Sequence, residues 1–496
     1  MHTEDQNAHE RKPEHPNADE RKPDDQKSGH PNAEDLNTES HDPSVTEALR
    51  AFMREGWADS DRDVQPDPVS RWTSARRARL AERFPGEVLV VPAGTLNARN
   101  DDCDYRFRPD SAHVWLTGNQ TSDAVLVLAD EQATLFVRPR ASRETDEFFR
   151  DRRYGEFWTG RRPSLAEIEH RLGIACRHLD DLDAALRGDR VRVHRDVDLS
   201  VDARVPPAPD RDAELSVALS ELRLTKDPWE IEQLRLAVDI TARGFGDCLR
   251  EWSEVVRHGE RWVEGTFWRR ARTEGNDVGY SSIVGAGSHA TTLHWIDNDG
   301  PVRPGDLVLL DMGVEARSLY TADITRTLPI SGSFSPLQRD LYTLVFDAQS
   351  AGFGAVKPGA AFTDPHDAAM TVLAHGLADL GLLPVSAEEA LDPDSKVYRR
   401  WTVHGTSHML GLDVHDCSRA PKERYAKGAL EAGCVLTVEP GLYFQADDLL
   451  VPEELRGIGI RIEDDVLVTE SGHTNLSGAM PRSPLEVEEW MASLRG

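Results

Sequence analysis

Short apolar runs alternate with amphipathic stretches from about residue 69 onward. In the first part of the chain, residues 88–91, 124–128 and 134–137 are continuous apolar runs typical of buried strands. Stretches with apolar residues three and four positions apart lie between and after these runs and predict helices. The pattern therefore predicts a smaller α/β domain, which we place at residues 45–209.

A second globular region is expected after the proline-rich segment 206–209, which we interpret as a linker. Asp227 can cap a helix there, Pro228 suits the first helical position, and Glu230 falls three residues after the cap. These residues predict a helix at the opening of a second domain, which we place at residues 210–496.

One strand of the second domain is predicted to end on a buried carboxylate. Pro304 and Gly305 suit the second and third positions of a type II turn, which leads into an apolar run at residues 307–313. Leu309 and Asp311 share one face of a strand with this sequence, because side chains alternate between the two faces. We therefore expect Asp311 to point inward.

Two further strands repeat this combination of charge and apolar surroundings. In the run 320–328, Asp323 and Thr325 share a face, so the threonine hydroxyl is expected to donate a hydrogen bond to the Asp323 carboxylate. Residues 457–468 are predicted to form a strand with isoleucines on one face. The other face carries Gly459, Arg461, Glu463 and Asp465. An exposed edge strand would give the same alternation.

Within residues 401–465, a histidine or a carboxylate lies in apolar surroundings in three separate runs. Stripping water from an ionised carboxylate costs several kcal/mol, so carboxylates in apolar strands need a shared partner. The candidate ligands are Asp311, Asp323, His408, Glu439 and Glu463. Four carboxylates and one imidazole suit Mn, Co, Zn or Fe in paired sites that activate water for hydrolysis. Taken alone, a buried aspartate at a strand end is more often a cap or a salt-bridge partner, and it is the joint pattern that favours a metal site.

Charge and cysteine content narrow the class of protein. The 87 acidic residues against 58 basic ones give a net charge of −29, which argues against a nucleic-acid or membrane partner. Five scattered cysteines without a CxxC pair predict no disulfide framework, and no apolar run has the length of a membrane helix. A polar N-terminus is unlike a signal peptide, so we expect a cytoplasmic protein.

Residues 1–44 are repetitive and polar, and they contain five histidines. Almost nothing in this segment could be buried, so we predict a disordered tail. Metal capture by its histidines is the alternative.

Three sequence runs resemble a known family. They are the run from Tyr105 to Gly118, the run His404-Gly-Thr-Ser-His408-Met-Leu-Gly-Leu-Asp-Val-His415-Asp, and the run Gly-Ile-Arg461-Ile-Glu463-Asp-Asp. They are similar to the aminopeptidase P and prolidase metallopeptidases, and the similarity extends over nearly the whole chain after residue 70. The resemblance implies an α+β fold, with a C-terminal pita-bread (creatinase/aminopeptidase-like) domain after a smaller α/β N-terminal domain. It also implies a homodimer or homotetramer.

The resemblance implies two divalent metal ions per chain, most often Mn²⁺, with Zn²⁺ or Co²⁺ as alternatives. Asp311 would chelate one ion, and His408 and Glu439 would bind the other. Asp323 and Glu463 would bridge the pair. The separation between Asp311 and Asp323 is one residue longer than in the family, and we expect the extra residue in a hairpin at 316–319.

The resemblance also implies an activity and the residues that perform it. The expected reaction is hydrolysis of an N-terminal Xaa-Pro peptide bond, with water activated by a dinuclear centre and Glu439 moving the proton. The catalytic candidates are His294, His404, His415, Glu439 and Arg461. The substrate-binding candidates are His294, His404, His415, Tyr443 and Asp102, the last reaching a neighbouring subunit's site.

Two other functions stay open at this point. A prolidase would require dipeptides with a free carboxylate, although the serine before His408 and the long N-terminal domain favour aminopeptidase P. A catalytically dead binding module on the same fold is the second alternative. Such modules usually lose metal ligands, and all five are present here.

Overall fold

The computed structural model describes residues 44–58, 62–129 and 132–495. Of these, 44–58 and 140–163 form one compact unit, and the remainder form a second. The tail predicted at 1–44 lies outside the described residues except for its last position. The predicted boundary between residues 209 and 210 falls within the second unit, just after a helix begins at Pro209, and it stays a prediction.

Sixteen α-helices occur in the described part of the chain. In order they are α1 Glu47–Met53, α2 Ser70–Ala81, α3 Ser111–Thr117, α4 Glu147–Arg150, α5 Glu156–Thr159, α6 Leu165–Leu172, α7 Leu182–Ala185, α8 Leu199–Asp202, α9 Pro209–Arg223, α10 Pro228–Arg250, α11 Trp252–His258, α12 Glu260–Glu274, α13 Pro336–Ala355, α14 Asp364–Asp379, α15 Ala387–Leu391 and α16 Pro484–Leu494. Short 3₁₀ helices lie at Leu179–Asp181, Gly287–Thr291, Val397–Arg400 and Glu453–Leu455.

Seventeen strands occur in the same described residues. In order they are β1 Val88–Pro92, β2 Ala98–Asn100, β3 Cys103–Asp104, β4 Val125–Ala129, β5 Gln132–Val137, β6 Ala175–His178, β7 Val191–Val193, β8 Asp277–Val278, β9 Ile283–Ala286, β10 Leu307–Met312, β11 Val314–Glu315, β12 Ile324–Pro329, β13 Val435–Val438, β14 Gly441–Tyr443, β15 Gly459–Arg461, β16 Asp464–Thr469 and β17 Gly472–Asn475.

The three strands predicted in the first part of the chain are confirmed as β1, β4 and β5. They form the centre of a mixed five-stranded sheet in the order β6-β5-β4-β1-β7. β1 runs antiparallel to β4 and parallel to β7. The continuous apolar runs are explained by burial on both faces of β1 and β4.

This sheet region packs directly against the loops of the later domain. Trp115 of α3 belongs to the same buried cluster as Leu319 and Leu410. The Arg108 guanidinium adds polar contacts, since it donates to the Glu315 carboxylate at 2.7 Å and to the Leu412 carbonyl at 2.6 Å. The first domain therefore supports the loop that follows Leu410.

The predicted start of α10 is confirmed in detail. The Asp227 side chain accepts from the Glu230 N–H at 3.0 Å, and the Glu230 side chain accepts from the Asp227 N–H at 3.0 Å. This reciprocal pair is a capping box with proline at the first helical turn. The predicted turn before β10 is also present, with Gly305 at φ +100° and a hydrogen bond from Asp306 N–H to the Arg303 carbonyl.

The continuous strand predicted at 457–468 is wrong, because the chain changes partners in the middle. β15 pairs with β14 and β16 pairs with β13, with a break at Ile462 and Glu463. The facing chain breaks at Pro440, which has no N–H to continue the ladder. Both faces of this stretch are buried, so the alternative of an exposed edge strand is excluded.

The mixed α+β class predicted from the sequence is confirmed. β10 lies at the centre of a three-stranded sheet in the order β12-β10-β9. In this sheet Asp311 stands opposite Thr325. None of the described helices is long and apolar enough to cross a lipid bilayer.

Candidate metal centre

The first two candidate ligands meet at the hydroxyl of one tyrosine. Asp311 is the penultimate residue of β10, Asp323 directly precedes β12, and both side chains are buried. The Tyr280 hydroxyl lies 2.6 Å from a carboxylate oxygen of each. Burial and the neighbouring Asp323 raise the pKa of Asp311, although Arg461 opposes this. The two buried carboxylates thus repel each other.

The hairpin between these two residues turns where the extra residue was expected. Ala316 and Leu319 close a tight turn, with a hydrogen bond from the Leu319 N–H to the Ala316 carbonyl at 2.9 Å. Leu319 has φ +70°, a backbone conformation that costs free energy for a branched side chain. β10 and β12 stay in continuous register on either side.

The partner predicted for Thr325 is wrong. Its hydroxyl donates to the Glu463 carboxylate at 2.6 Å and not to Asp323. The reason is that Asp323 lies before β12 begins, so strand alternation does not fix its direction. The break between β15 and β16 instead brings Glu463 over Thr325, whose carbonyl also accepts the Glu463 N–H at 3.1 Å.

The two strand breaks position the other glutamate as well. Glu439 follows β13 immediately before Pro440, and its N–H donates to the Thr406 carbonyl at 2.8 Å. Glu439 and Glu463 therefore lie at the same break in the strand pairing. Burial raises the pKa of Glu439 to about 7 and that of Glu463 well above its usual range, because neighbouring carboxylates add to the desolvation.

His408 completes the cluster with one nitrogen free for a ligand. Its Nδ1–H donates to the Met409 carbonyl at 3.2 Å, which leaves Nε2 facing the other candidates. Nε2 lies 3.3 Å from Asp323 Oδ2 and 3.5 Å from Glu439 Oε1. Burial lowers the pKa of His408, but these two carboxylates outweigh it and raise the pKa to about 9.

These side chains fit a divalent cation. Ligand atoms of Asp323, His408 and Glu463 all lie within 4.8 Å of one another. Desolvation, with repulsion among the carboxylates, raises the pKa values of Asp311, Glu439 and Glu463, whereas the contact with His408 outweighs desolvation and lowers the pKa of Asp323. A cation would compensate the negative charge that these carboxylates share. A histidine whose second nitrogen donates to a carbonyl is typical of a metal ligand.

A hydrogen-bonded relay runs behind the cluster. Arg461 pairs with Asp311 at 2.5 Å and donates to the Tyr443 oxygen at 2.9 Å. The His404 Nδ1–H donates to the Gly405 carbonyl, so its Nε2 accepts the Tyr443 hydroxyl at 2.8 Å. Burial, with the charge of Arg461, lowers the pKa of His404 to about 3, so this imidazole is neutral. The relay fixes one tautomer of His404.

A cavity of about 600 Å³ opens onto these groups. Its lining includes nine of the sequence-predicted residues, namely His294, Asp311, Asp323, His404, His408, His415, Glu439, Arg461 and Glu463. The His408 and His415 rings meet edge to face, with centroids 4.4 Å apart. The structure thus brings together residues that are separated by up to 169 positions in the sequence.

Two predicted substrate residues lie outside this lining. Tyr443 is buried behind it and contacts two residues of the lining, His404 and Arg461. Asp102 lies in the exposed turn between β2 and β3, away from the cavity of its own chain.

Tyr280 was missed by the sequence reasoning. It lies ahead of β9, between Gly279 and Ser281, and no charge or spacing marks it. Gly279 allows the close approach that seats it, because a Cβ at that position would lie 1.8 Å from the Thr321 hydroxyl oxygen. A lone tyrosine beside a glycine, just before an apolar strand, is the only signal in the sequence.

Comparison with known proteins identifies two matching sequence families. The metallopeptidase family M24 matches residues 232–470, and the aminopeptidase P N-terminal domain matches residues 73–194. The first match contains all five candidate ligands.

Individual relatives match over most of their length. Xaa-Pro aminopeptidase 2 of Streptomyces coelicolor is 55% identical over 464 residues, covering 92% of this chain and 98% of that protein. Xaa-Pro aminopeptidase of Escherichia coli is 33% identical over 443 residues, covering 85% and 97%. The solved structure of Pseudomonas aeruginosa aminopeptidase PepP superposes with a TM-score of 0.76 at 31% identity, covering 87% of this chain and 99% of that one.

Proposed function

The chain belongs to the Xaa-Pro aminopeptidases of metallopeptidase family M24, and on that premise we propose how its residues remove an N-terminal residue that precedes proline. The proposal is a dinuclear centre with two manganese ions per chain. Asp311 would hold one ion, His408 and Glu439 would hold the other, and Asp323 and Glu463 would supply oxygens to both. Four carboxylates balance the charge of two divalent cations.

The ions supply two things when bound, a lowered pKa for water and polarisation of the scissile carbonyl. The positions of the chain's carboxylates determine where the ions bind, and therefore where water and the scissile carbonyl are activated. One observation supports the proposal most directly. Ligand atoms of Asp323, His408 and Glu463 lie within 4.8 Å of one another, and these residues line a cavity.

Glu439 is the residue that we propose moves the proton from water to the leaving nitrogen. Its Oε1 lies 3.5 Å from His408, and its Oε2 lies 3.5 Å from His404 Nδ1. Because His404 is neutral and its tautomer is fixed by Gly405 and Tyr443, it does not compete for that proton. General acid–base catalysis requires a proton acceptor that is held in position without a competing base beside it.

His294 and His415 are proposed to stabilise the oxyanion and to bind the substrate main chain. Both are exposed on the cavity, and both lie on loops rather than strands. Imidazole N–H groups that face a reacting carbonyl stabilise the charge that develops on its oxygen. Arg461 and Tyr443 hold the site from behind, through Asp311 and His404 respectively.

The preference for proline is attributed to the apolar part of the same cavity. An Xaa-Pro bond is a tertiary amide without an N–H, so the site recognises the ring instead of a donor. Ile283, Leu293, Ile296 and Val414 supply apolar surface next to the candidate ligands. These side chains are the ones that we propose contact the proline ring.

The proposal extends to location and assembly. We propose a cytoplasmic homodimer or homotetramer in which Asp102 of one chain reaches the site of its neighbour. The exposed position of Asp102 in the β2–β3 turn supports this. Light scattering on the purified chain tests the assembly, and a monomer that is fully active would contradict it.

A set of three peptides tests the activity. Manganese-loaded protein should release Xaa from Xaa-Pro-Yaa and leave Xaa-Ala-Yaa intact. Cleavage of Xaa-Pro dipeptides alone would identify a prolidase, and no hydrolysis at all would identify a binding module. Glu439→Gln should abolish turnover while circular dichroism stays unchanged, and turnover at the wild-type rate would refute the role of Glu439.

A further inference from the structure

A single buried carboxylate contacts both ends and the middle of the loop 286–300. Glu260, the first residue of α12, has no exposed surface. Its Oε1 accepts from the Ala286 N–H at 2.7 Å and lies 2.9 Å from His289 Nδ1. Its Oε2 accepts from the Trp295 indole at 2.9 Å and from the Gly300 N–H at 2.7 Å.

This arrangement saturates the carboxylate. Two oxygens offer about four lone-pair positions, and four donors fill them. An ionised carboxylate is the only common side chain that accepts four hydrogen bonds without donating one. The Glu260 N–H closes the loop further by donating to the Gly300 carbonyl at 3.0 Å.

Packing within the loop depends on the same contacts. The His289 and Trp295 rings stack with centroids 3.9 Å apart. A Cβ at Gly300 would lie 2.5 Å from His289 Nδ1, so any other residue there would displace the His289 ring. The two rings and the carboxylate thus form one unit, which we call the Glu260 clamp (Glu260, His289, Trp295 and Gly300).

The clamp lies directly beside a group that faces the cavity. His294 is adjacent to Trp295 in the sequence, and Leu293 and Ile296 next to it also line the cavity. Because the Trp295 ring is both stacked and hydrogen-bonded, the backbone on either side of it is fixed. The exposed His294 imidazole has no hydrogen bond of its own among those seen in the described residues, so its position depends on this backbone.

We propose that Glu260 is a positioning residue for His294. It acts through Trp295 and His289 and does not itself face the cavity. This inference rests on the proposed function, in which His294 binds the scissile bond. Its consequence is that the charge of Glu260 contributes to turnover and not only to the fold.

Glu260→Gln is the perturbation that isolates this role. The amide keeps the shape but offers one acceptor oxygen and places its own N–H groups against two donors. A displacement of about 1 Å at a reacting group reduces turnover by roughly 100-fold, so we expect a loss of that order in kcat. Glu251→Gln is the matched control, because Glu251 also accepts an indole N–H, from Trp262, but does not contact the loop.

A double-mutant cycle separates positioning from general destabilisation. If Glu260 acts through His294, then Glu260→Gln should reduce kcat in the wild-type background but by no more than about twofold in a His294→Ala background. The same loss in both backgrounds would overturn the proposal. Trp295→Phe keeps an aromatic ring beside His289 but loses the indole N–H and one ring of the indole, so it should also reduce kcat, with the same dependence on His294.

Hydrogen exchange gives a readout that does not need activity. In Glu260→Gln, amides of 286–300 should exchange faster while the α13 and α14 amides keep their rates. Unchanged exchange in the loop would overturn the proposal, and so would faster exchange throughout the chain. If wild-type protein fails to cleave Xaa-Pro-Yaa, the proposed function fails, and the exchange experiment alone then decides whether Glu260 positions the loop.

Discussion

Replacing Tyr280 by phenylalanine removes one oxygen atom from between two proposed metal ligands. The hydroxyl lies 2.6 Å from both Asp311 and Asp323. Burial and the adjacent carboxylates raise its pKa well above the usual range, so it remains protonated and acts as a donor. The ring itself is retained, so its packing beside Gly313 should not change.

The size of the effect follows from the number of protons. A phenol has one hydrogen, so it makes one strong bond to a carboxylate at a time and not two. A hydrogen bond to a charged group contributes about 1.5–3 kcal/mol. With a tenfold change for about 1.4 kcal/mol, Tyr280→Phe should weaken metal binding by roughly 10- to 100-fold, which is the range typical of groups that orient metal ligands.

Calorimetric titration of metal-stripped protein with Mn²⁺ measures this directly. Tyr342→Phe is the matched control, because the buried Tyr342 hydroxyl donates to the Arg482 carbonyl and lies outside the cavity lining. That variant should lose stability but bind Mn²⁺ like the wild type. Wild-type affinity in Tyr280→Phe would refute the reasoning that this hydroxyl orients the two carboxylates.

Two further predictions concern buried ion pairs. Arg326 and Asp464 are completely buried and paired at 2.8 Å. Arg326→Met should therefore lower the free energy of unfolding, measured by urea titration, by about 3–5 kcal/mol. The double variant Arg326→Met/Asp464→Leu should recover much of this loss, and an equal loss in both variants would contradict the pairing. Burial raises the pKa of Asp416, but Arg223 and Lys226 outweigh it and lower the pKa from 3.8 to about 2. Because the folded pKa is depressed, this stabilisation is complete above about pH 4 and is lost as pH falls toward 2. Unfolding free energy should therefore fall less steeply over that window in Asp416→Asn than in the wild type, and identical slopes would contradict the assignment.

Much of the fold follows from local pattern. The strands β1 and β4 were predicted because both of their faces are buried, which leaves a continuous apolar run, and β5 was predicted because its second half is buried in the same way. The start of α10 was predicted because the capping pair Asp227 and Glu230 is local in sequence. Where a structure is determined by residues within a few positions of each other, the sequence is sufficient.

Features that depend on distant partners could not be predicted in this way. The alternation at 457–468 is continuous in sequence, yet β15 and β16 pair with different strands because Pro440 interrupts the facing chain. Thr325 was assigned to Asp323 from alternation, and it contacts Glu463 only because that break turns the glutamate toward it. Tyr280 is marked locally only by the glycine before it and the apolar strand after it, since its two partners follow it by 31 and 43 positions.

The candidate site itself was predicted largely from charged side chains in apolar stretches of sequence. Carboxylates within apolar strands indicated a cation, and the structure places Asp323, His408 and Glu463 within reach of one ion. The roles of the individual residues stay predictions. The relay through Tyr443 depends on side chains that pack behind the cavity, which spacing along the chain does not reveal.

Reconstitution with metal tests the central claim most directly. Protein stripped of metal should be inactive on Xaa-Pro-Yaa, and titration with Mn²⁺ should restore release of Xaa until about two ions are bound per chain, with Xaa-Ala-Yaa left uncleaved throughout. Full activity in stripped protein would contradict the account, and so would a chain that binds two ions and still cleaves no Xaa-Pro bond.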